Sequence, residues 1–425
     1  MGQHNSSLHY ARPQVERVDE LITRLRQIDK GDPAAIRVVR APLRISPLGA
    51  HIDHQLGRVT GMAVDRSILF AFAPTTDGTV QVDSLDFNTA TNFTLSAVPA
   101  SSKGDWGNYL RGAVVALQKE HSLTQGLVGV LGGDMPIGGL SSSAAVTIAY
   151  LLALETVNQL AMTPDENIRL VTRTEHEYIG LNNGILDQTS ILFSRRNHLT
   201  IIDCQSVQID RAPARIAPDS YAIMAVYSGV AQGLVGTGYN NRVAECQAAA
   251  RQLLGFVGQD PGDDPRLRHV APEHFADYSA RLDEPLRKRA THFFTEMGRV
   301  TRGEQAWRAG DLPHFGALIT QSGESSIKNY ESGCPQLITL YDILANTPGV
   351  YGVRFSGAGF RGSCLALVDP NASEAIADAV HRRYPQAHPD IADKYSVHLC
   401  QPADGADLLQ TNLNADWADL ADVSG

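Results

Sequence analysis

The sequence predicts an α+β protein of two domains with mixed sheets. Three observations carry that expectation. Short strand-like segments and longer helix-like ones alternate in both halves of the chain. The 425 residues suffice for two or three domains, at roughly 150 residues each. A polar, Pro-containing stretch at 211–220 interrupts the pattern and puts a boundary near 210–218, which divides the chain into 30–212 and 213–425.

Each element has its own signal. Residues 1–30 read as a helical lead-in, and 36–40 and 43–45 as strands. Residues 67–73 and 79–84 read as two further strands, separated by the turn Thr76-Asp77-Gly78. Helical spacing covers 105–121, and a short apolar strand covers 126–131. Gly138-Gly139 leads into an apolar helix at about 142–160. Thr163-Pro164-Asp165-Glu166 is a helix start, with Thr as cap, Pro in the first turn and Glu closing a capping box. Residues 199–203 and 222–227 read as strands. Helices are expected at 239–254, 284–309, 313–323 and 372–383, with a hairpin at 352–355 and 363–368. The tail from Gln401 holds five Asp and no Lys or Arg, and is expected to be a loosely attached end.

Composition excludes some functions. With 36 Lys+Arg against 46 Asp+Glu, the formal charge is −10. That disfavours a general nucleic-acid backbone binder or adhesion to an anionic membrane, but not a small anionic ligand, which responds to local charge. The five cysteines have no CxxC pair and no metal-ligand spacing, so they read as reduced thiols. The first residues contain no apolar stretch, and the longest apolar run, near 146–154, is short for a membrane span. A soluble, cytoplasmic protein is expected. Gly2 and Ser6 match the myristoylation pattern, which is short enough to recur by chance.

Four segments concentrate chemistry. In Asp134–Ala145, glycines precede three serines at a helix start. Such a segment lets backbone N–H groups and the positive helix end approach a phosphate; a Ser-rich helix cap is the plainer reading. Residues 41–57 gather Arg44, His51, Asp53 and His54. No further His/Asp cluster lies nearby in sequence, so a metal site is not assigned to them. In Thr174–Gln188, Glu177 reads as surface charge, whereas Asp187 stands among Ile185, Leu186, Ile191 and Leu192. A carboxylate in such company has a partner or a job. Gly357–Gly362 matches G-x-G-x-x-G, but a strand follows where a dinucleotide site needs a helix, so dinucleotide binding is rejected.

Taken together, these segments resemble the GHMP small-molecule kinases, galactokinase branch. Arg44, Gly49, His51, Asp53 and Gly57 resemble its sugar signature, 139–145 its ATP loop, and 352–368 its third glycine motif. The resemblance implies a two-domain fold: an N-terminal domain like the second domain of ribosomal protein S5, a ferredoxin-like C-terminal α+β domain, and an active site in the cleft between them. It further implies that Asp187 takes the proton of the sugar's anomeric hydroxyl and that Arg44 stabilises that region. Ser143, with Ser142, and Glu175 match Mg²⁺-binding positions. Gly138, Gly139, Leu140, Ser141, Ser142 and Ser143 match the phosphate loop, and Trp106 an adenine-side aromatic. His51, Asp53, Gly184 and Tyr239 match sugar contacts. ATP is the implied co-substrate, with no nucleic acid, membrane or obligate protein partner. Phosphoryl transfer asks the protein mainly for positioning and charge stabilisation.

The departures carry information. Galactokinases have Glu between the Gly and His of the first motif, where it bonds the C6 hydroxyl; here the residue is Ala50. His54 and Gln55 replace Tyr and Asn of the pattern, and Arg361 replaces a glycine. A Glu would repel a substrate with a C6 carboxylate. Two like charges about 4 Å apart at an effective dielectric near 20 cost on the order of 4 kcal/mol, and a third of that is about tenfold in affinity. The motif thus resembles the galacturonokinase group, which phosphorylates D-galacturonate at C1. His54, Arg66, Arg242 and Arg361 are the candidate carboxylate partners. Two alternatives stand: a kinase for galactose or another C6-modified sugar, and a silent sugar sensor. The intact 140–145 loop, Arg44 and Asp187 count against the sensor.

Overall fold

In the computed structural model, Arg58–Thr75 is one continuous strand, buried along almost its whole length. The structure describes residues 7–29, 31–136, 138, 140–230, 238–357 and 359–410. The two strands expected at 36–40 and 43–45 form a single strand, Arg37–Ile45, antiparallel to Arg58–Thr75. Their register shifts between Pro42 and Arg44. Pro42 has no N–H to donate, and such an irregularity re-aims the next side chain. Gly126–Gly132, Thr79–Ser84 and Thr89–Thr94 extend this sheet on one side, and Asp407–Leu409 on the other. His198–Asp203 pairs with the beginning of the long strand and with Gln208–Pro213.

Alternation along the strands serves two layers. Val38, Leu69, Ala71, Val128 and Val130 face helix Gln14–Ile28, through its Val18, Leu21, Ile22 and Leu25. The opposite face, with Val39, Phe70 and Phe72, packs on helix Ser142–Asn158. That helix is apolar nearly all round, as a helix enclosed by protein must be.

The second sheet has the order Leu8–His9, Ser396–Cys400, Ala222–Tyr227, Ser363–Val368, Val350–Phe355. Its four later strands lie 4-1-3-2 by chain order, the ferredoxin-like arrangement. Helices Pro335–Ala345 and Ser373–Ala387 cover one face. Through Trp307, Phe315, Ile223 and Leu365, the other face joins the same apolar cluster as Leu43, Ile45 and Leu48 of the first sheet. The two halves therefore share a core.

The chain ends cross between the sheets. Leu8–His9 pairs with Ser396–Cys400. Pro402–Ala403 pairs with Arg58–Thr75, and Asp407–Leu409 with Arg37–Ile45. The expectation of a loosely attached end from Gln401 is thus corrected for residues 402–409. They satisfy a sheet edge, and Arg40 clamps them through Asp407 and the Gly405 carbonyl. Residues 411–425 and the Gly2/Ser6 pattern lie outside the described residues. The capping box at Thr163 is present as expected, and its helix Pro164–Arg173 continues into a π-helical turn, Thr174–Ile179. All five cysteines are free. Among the described residues no helix is long and apolar enough to cross a membrane.

Candidate active site

The register shift at Pro42–Arg44 aims Arg44 at Asp187. Arg44 Nε and Nη2 both reach Asp187 Oδ1, at 2.8 and 2.7 Å. The Ser141 hydroxyl donates to Asp187 Oδ2 at 2.5 Å. Three elements meet here for local reasons. The Arg44 N–H donates to the Leu140 carbonyl, tying the serine loop to the strand. Ser141 adopts a left-handed conformation, φ +58°, which turns the chain into its helix. Asp187 lies in the first turn of helix Leu186–Phe193, where a carboxylate suits the helix dipole. Arg44 is buried, whereas the Asp187 side chain keeps 21% exposure, so the carboxylate has an open side.

Behind it stand two more carboxylates. Glu175, in the π-helical turn, is 1% exposed. Its Oε2 accepts from Asn183, while Oε1 has no partner among the described residues. Burial pushes its pKa up to about 8, the Asp187 and Asp53 charges adding to the shift against the Asn183 hydrogen bond. Asp53 is raised to about 6, by burial first and then by Asp187. Gly184 presses on it: a Cβ there would meet Asp53 Oδ2 at 2.4 Å. The His176 ring bonds the Asn183 carbonyl and steadies this turn.

The serine segment keeps its helix end open. Among the described residues, no side chain caps helix Ser142–Asn158. The first helical acceptor, the Ser141 carbonyl, is taken by Ala145, so the N–H groups before it have no helical acceptor, and such groups suit an anion. This favours the phosphate cradle over the Ser-rich cap. Ser143 lies within hydrogen-bonding reach of Tyr109, which also feels the Glu175 charge. A buried carboxylate oxygen without a partner and a nearby hydroxyl are hard oxygen donors. They fit Mg²⁺, which takes one or two protein oxygens and completes its shell with water and phosphate. Gly138 abuts the third glycine motif: its carbonyl accepts from the Ser363 hydroxyl at 3.1 Å, and a Cβ would stand 3.5 Å from Gly362 Cα. Gly139 lies outside the described residues. Trp106 stands apart from this group, stacked on the exposed Phe87 and donating to Thr89.

At the sugar-signature end, Ala50 is buried and its backbone is held from both sides. Glu296 Oε1 accepts from the N–H groups of Gly49 and Ala50 and from the Ser322 hydroxyl. His292 donates to the Ala50 carbonyl at 2.7 Å. Burial opposes the Glu296 charge, but Arg299, His292 and Arg354 hold its carboxyl down to about 2. His51, at φ +56°, stacks on Tyr330 with ring centroids 4.2 Å apart. Tyr239 is buried, its pKa raised by burial and by Asp53, Asp187 and Glu175. The ring nitrogens of His54 are engaged by Tyr330 and Gln55, and burial lowers its pKa to about 3.

Three of the four candidate carboxylate partners are corrected by this geometry. His54 is neutral at pH 7. Arg66 donates to the carbonyls of His9 and Leu399, where the chain ends cross. Arg242 is paired with Glu245. The fourth, Arg361, faces Tyr109 and Tyr227 instead of Ala50. The sequence reading overlooked Glu296, Arg299, His292, Tyr330, Asn183 and Arg354. Three of them carried a signal: Glu296 and Arg299 as a Glu–Arg pair three apart between Phe293 and Val300, and Arg354 as an Arg inside the apolar strand Val350–Phe355.

A carboxylate gripped by arginine, an open helix N-terminus and a third glycine motif closing on the serine loop define a small-molecule phosphotransferase site. Comparison with known proteins agrees. The model of the GHMP kinases N terminal domain matches residues 108–195, that of the GHMP kinases C terminal domain 304–386, and the galactokinase galactose-binding signature 28–74. A galacturonokinase of Arabidopsis thaliana is 42% identical over 420 residues, covering 93% of this chain and 98% of that protein. A galactokinase of Roseiflexus sp. (strain RS-1) is 32% identical, covering 88% and 93%. The crystal structure of Lactococcus lactis galactokinase complexed with galactose matches with a TM-score of 0.84 at 27% identity, covering 92% of this chain and all of that one. Methanococcus jannaschii mevalonate kinase shares the fold, with a TM-score of 0.62 at 16% identity. The chain belongs to the GHMP kinases. Within that family it is a sugar kinase of the galactokinase branch, similar to galacturonokinase.

Proposed function

We propose that this kinase transfers the γ-phosphoryl group of ATP to the C1 hydroxyl of D-galacturonate, giving galacturonate 1-phosphate and ADP. The observation that carries the substrate is Ala50, a small neutral residue where galactokinases have a glutamate. The 42% identity to a galacturonokinase supports it. In this reading Asp187 accepts the C1 hydroxyl proton as the new C1–O–P bond forms and ADP departs. Arg44 orients Asp187 and stabilises charge on the transferring group. Backbone N–H groups of 138–143 take phosphate oxygens, and Trp106 lies on the adenine side. Glu175 and Ser143 hold Mg²⁺, which when bound neutralises phosphate charge. His51, Asp53, His54, Gly184 and Tyr239 line the sugar side, with Gly184 leaving Asp53 the room it occupies. The parts 30–212 and 213–425 contribute from opposite sides.

A coupled kinase assay over neutral, amino and uronic sugars tests this reading, with galacturonate expected to be turned over fastest. In the Ala50→Glu variant, galacturonate turnover should drop by about tenfold or more. An unaffected variant would mean that this position does not face C6. The match to the galactose-binding signature favours a second reading, a kinase for galactose, which the same assay separates.

A further inference from the structure

Three departures from the galactokinase pattern fall on one turn: Ala50, His54 and Gln55. Ala50 leaves room. The other two are joined by hydrogen bonds whose directions are fixed one by one. The Leu267 N–H donates to Gln55 Oε1 at 3.0 Å, which sets the side-chain amide and turns its nitrogen toward His54. Gln55 Nε2 stands 3.0 Å from His54 Nδ1. An amide nitrogen only donates, so Nδ1 accepts and the proton of the neutral imidazole sits on Nε2. Burial keeps the ring neutral at pH 7. Nε2–H then donates to the Tyr330 hydroxyl at 3.1 Å. Arg266, beside Leu267, donates to the His54 carbonyl at 2.6 Å and holds the turn from the same segment.

This relay ends on His51. The buried Tyr330 ring lies parallel to the His51 ring, with an interplanar angle of 2° and centroids 4.2 Å apart. His51 needs such support, because its backbone is left-handed, a conformation that a non-glycine residue keeps only where its surroundings hold it. Its contact with the Ser332 hydroxyl is long, at 3.5 Å. Tyr330 also packs by His292, with centroids 5.2 Å apart, and His292 bonds the Ala50 carbonyl. One aromatic ring thus backs the whole Ala50–His51 turn. The galactokinase pair could not form this relay. A Tyr at 54 has one hydroxyl in place of two ring nitrogens, and an Asn at 55 is one methylene short of joining Leu267 to residue 54.

We propose that His54 and Gln55 are positioning residues: through Tyr330 they hold the His51 ring where the C6 carboxylate of the acidic sugar meets it, and so shift preference from galactose to a uronate. The proposal rests on the uronate reading above. A carboxylate only accepts hydrogen bonds. Ala50 offers it no donor, so the imidazole N–H of the next residue has to be in place.

The test measures kcat and KM for galacturonate and galactose in wild type, Gln55→Asn, His54→Tyr and the double variant, which restores the galactokinase pair. In each variant the galacturonate KM should rise about tenfold, the size of one net hydrogen bond, while its kcat changes less than about threefold. Galactose should lose less, so the galacturonate-over-galactose ratio of kcat/KM falls. The double variant should lose little more than the worse single one, because a relay is broken once. An unchanged ratio, a loss shared equally by both sugars, a loss confined to kcat, or fully multiplicative losses in the double variant overturns the proposal. If His54→Tyr fails to fold, Gln55→Asn, the loss of one methylene, decides alone. A wild type that prefers galactose defeats the uronate reading itself, and is seen before any variant is made.

Discussion

Asp187 is the residue on which the proposed chemistry turns, and it is legible in the sequence because a carboxylate among Ile185, Leu186 and Ile191 needs a reason to be there. Its grip by Arg44 and Ser141 is not legible, since it joins positions 143 and 46 residues away. Asp187→Asn should lower turnover by about a thousandfold or more while leaving ATP affinity near normal, as equilibrium binding and single-turnover assays would show. Retained turnover would remove Asp187 from the role of base. Glu175 makes a pH prediction. Its folded pKa, about 8, lies above the reference 4.5. The stability tied to its protonated form is complete below pH 4.5 and is lost as pH rises through about 8. The metal-free protein should weaken across that window, and Glu175→Gln should flatten the decline in denaturation midpoint. Binding of Mg²⁺ and nucleotide at pH 7 should also release a proton from Glu175, seen by calorimetry in buffers of differing ionisation enthalpy. Uptake, or no exchange, would argue against Glu175 as a ligand.

At the scale of elements, local signals were reliable where the chemistry is local. The capping box at Thr163 and helix Glu284–Ala309 occur as expected. Helix Pro335–Ala345 and strand Thr89–Thr94 were missed. The first is an apolar run with little polar contrast, the second a polar strand that the sheet edge stabilises through pairing with Thr79–Ser84. Burial decides both, and a single sequence does not display burial. Close approach is another long-range property. Helix Leu312–Lys328 sits on strand Val350–Phe355 with glycine at both contact points: a Cβ on Gly316 would meet the Tyr351 carbonyl oxygen at 2.2 Å, and one on Gly352 the Gly316 carbonyl oxygen at 2.1 Å. Backbone cannot retreat as a side chain can. Gly316→Ala should therefore cost about 3 kcal/mol in chemical denaturation, and it should displace the strand that carries Arg354. A change below about 0.5 kcal/mol, the size of an ordinary surface substitution, would refute that packing argument.

For the whole molecule, the shared apolar core and the crossing chain ends make two sequence halves one structural unit. Unfolding should be a single transition, coincident by fluorescence and far-UV circular dichroism. Deleting 401–425 should lower its midpoint by baring the strand edges that 402–409 cover; an unchanged midpoint would contradict that role. The overall charge of −10 says little about such a site, because a small anion responds to local charge and not to the net count. The small, neutral and buried Ala50 matters more for the proposed substrate. The most direct measurement is a competition. Purified protein receives ATP, Mg²⁺ and equal concentrations of galacturonate and galactose, and mass spectrometry reads the ratio of the two sugar 1-phosphates at early times. Galacturonate 1-phosphate should lead by about tenfold or more. Equal products, or an excess of galactose 1-phosphate, would contradict it.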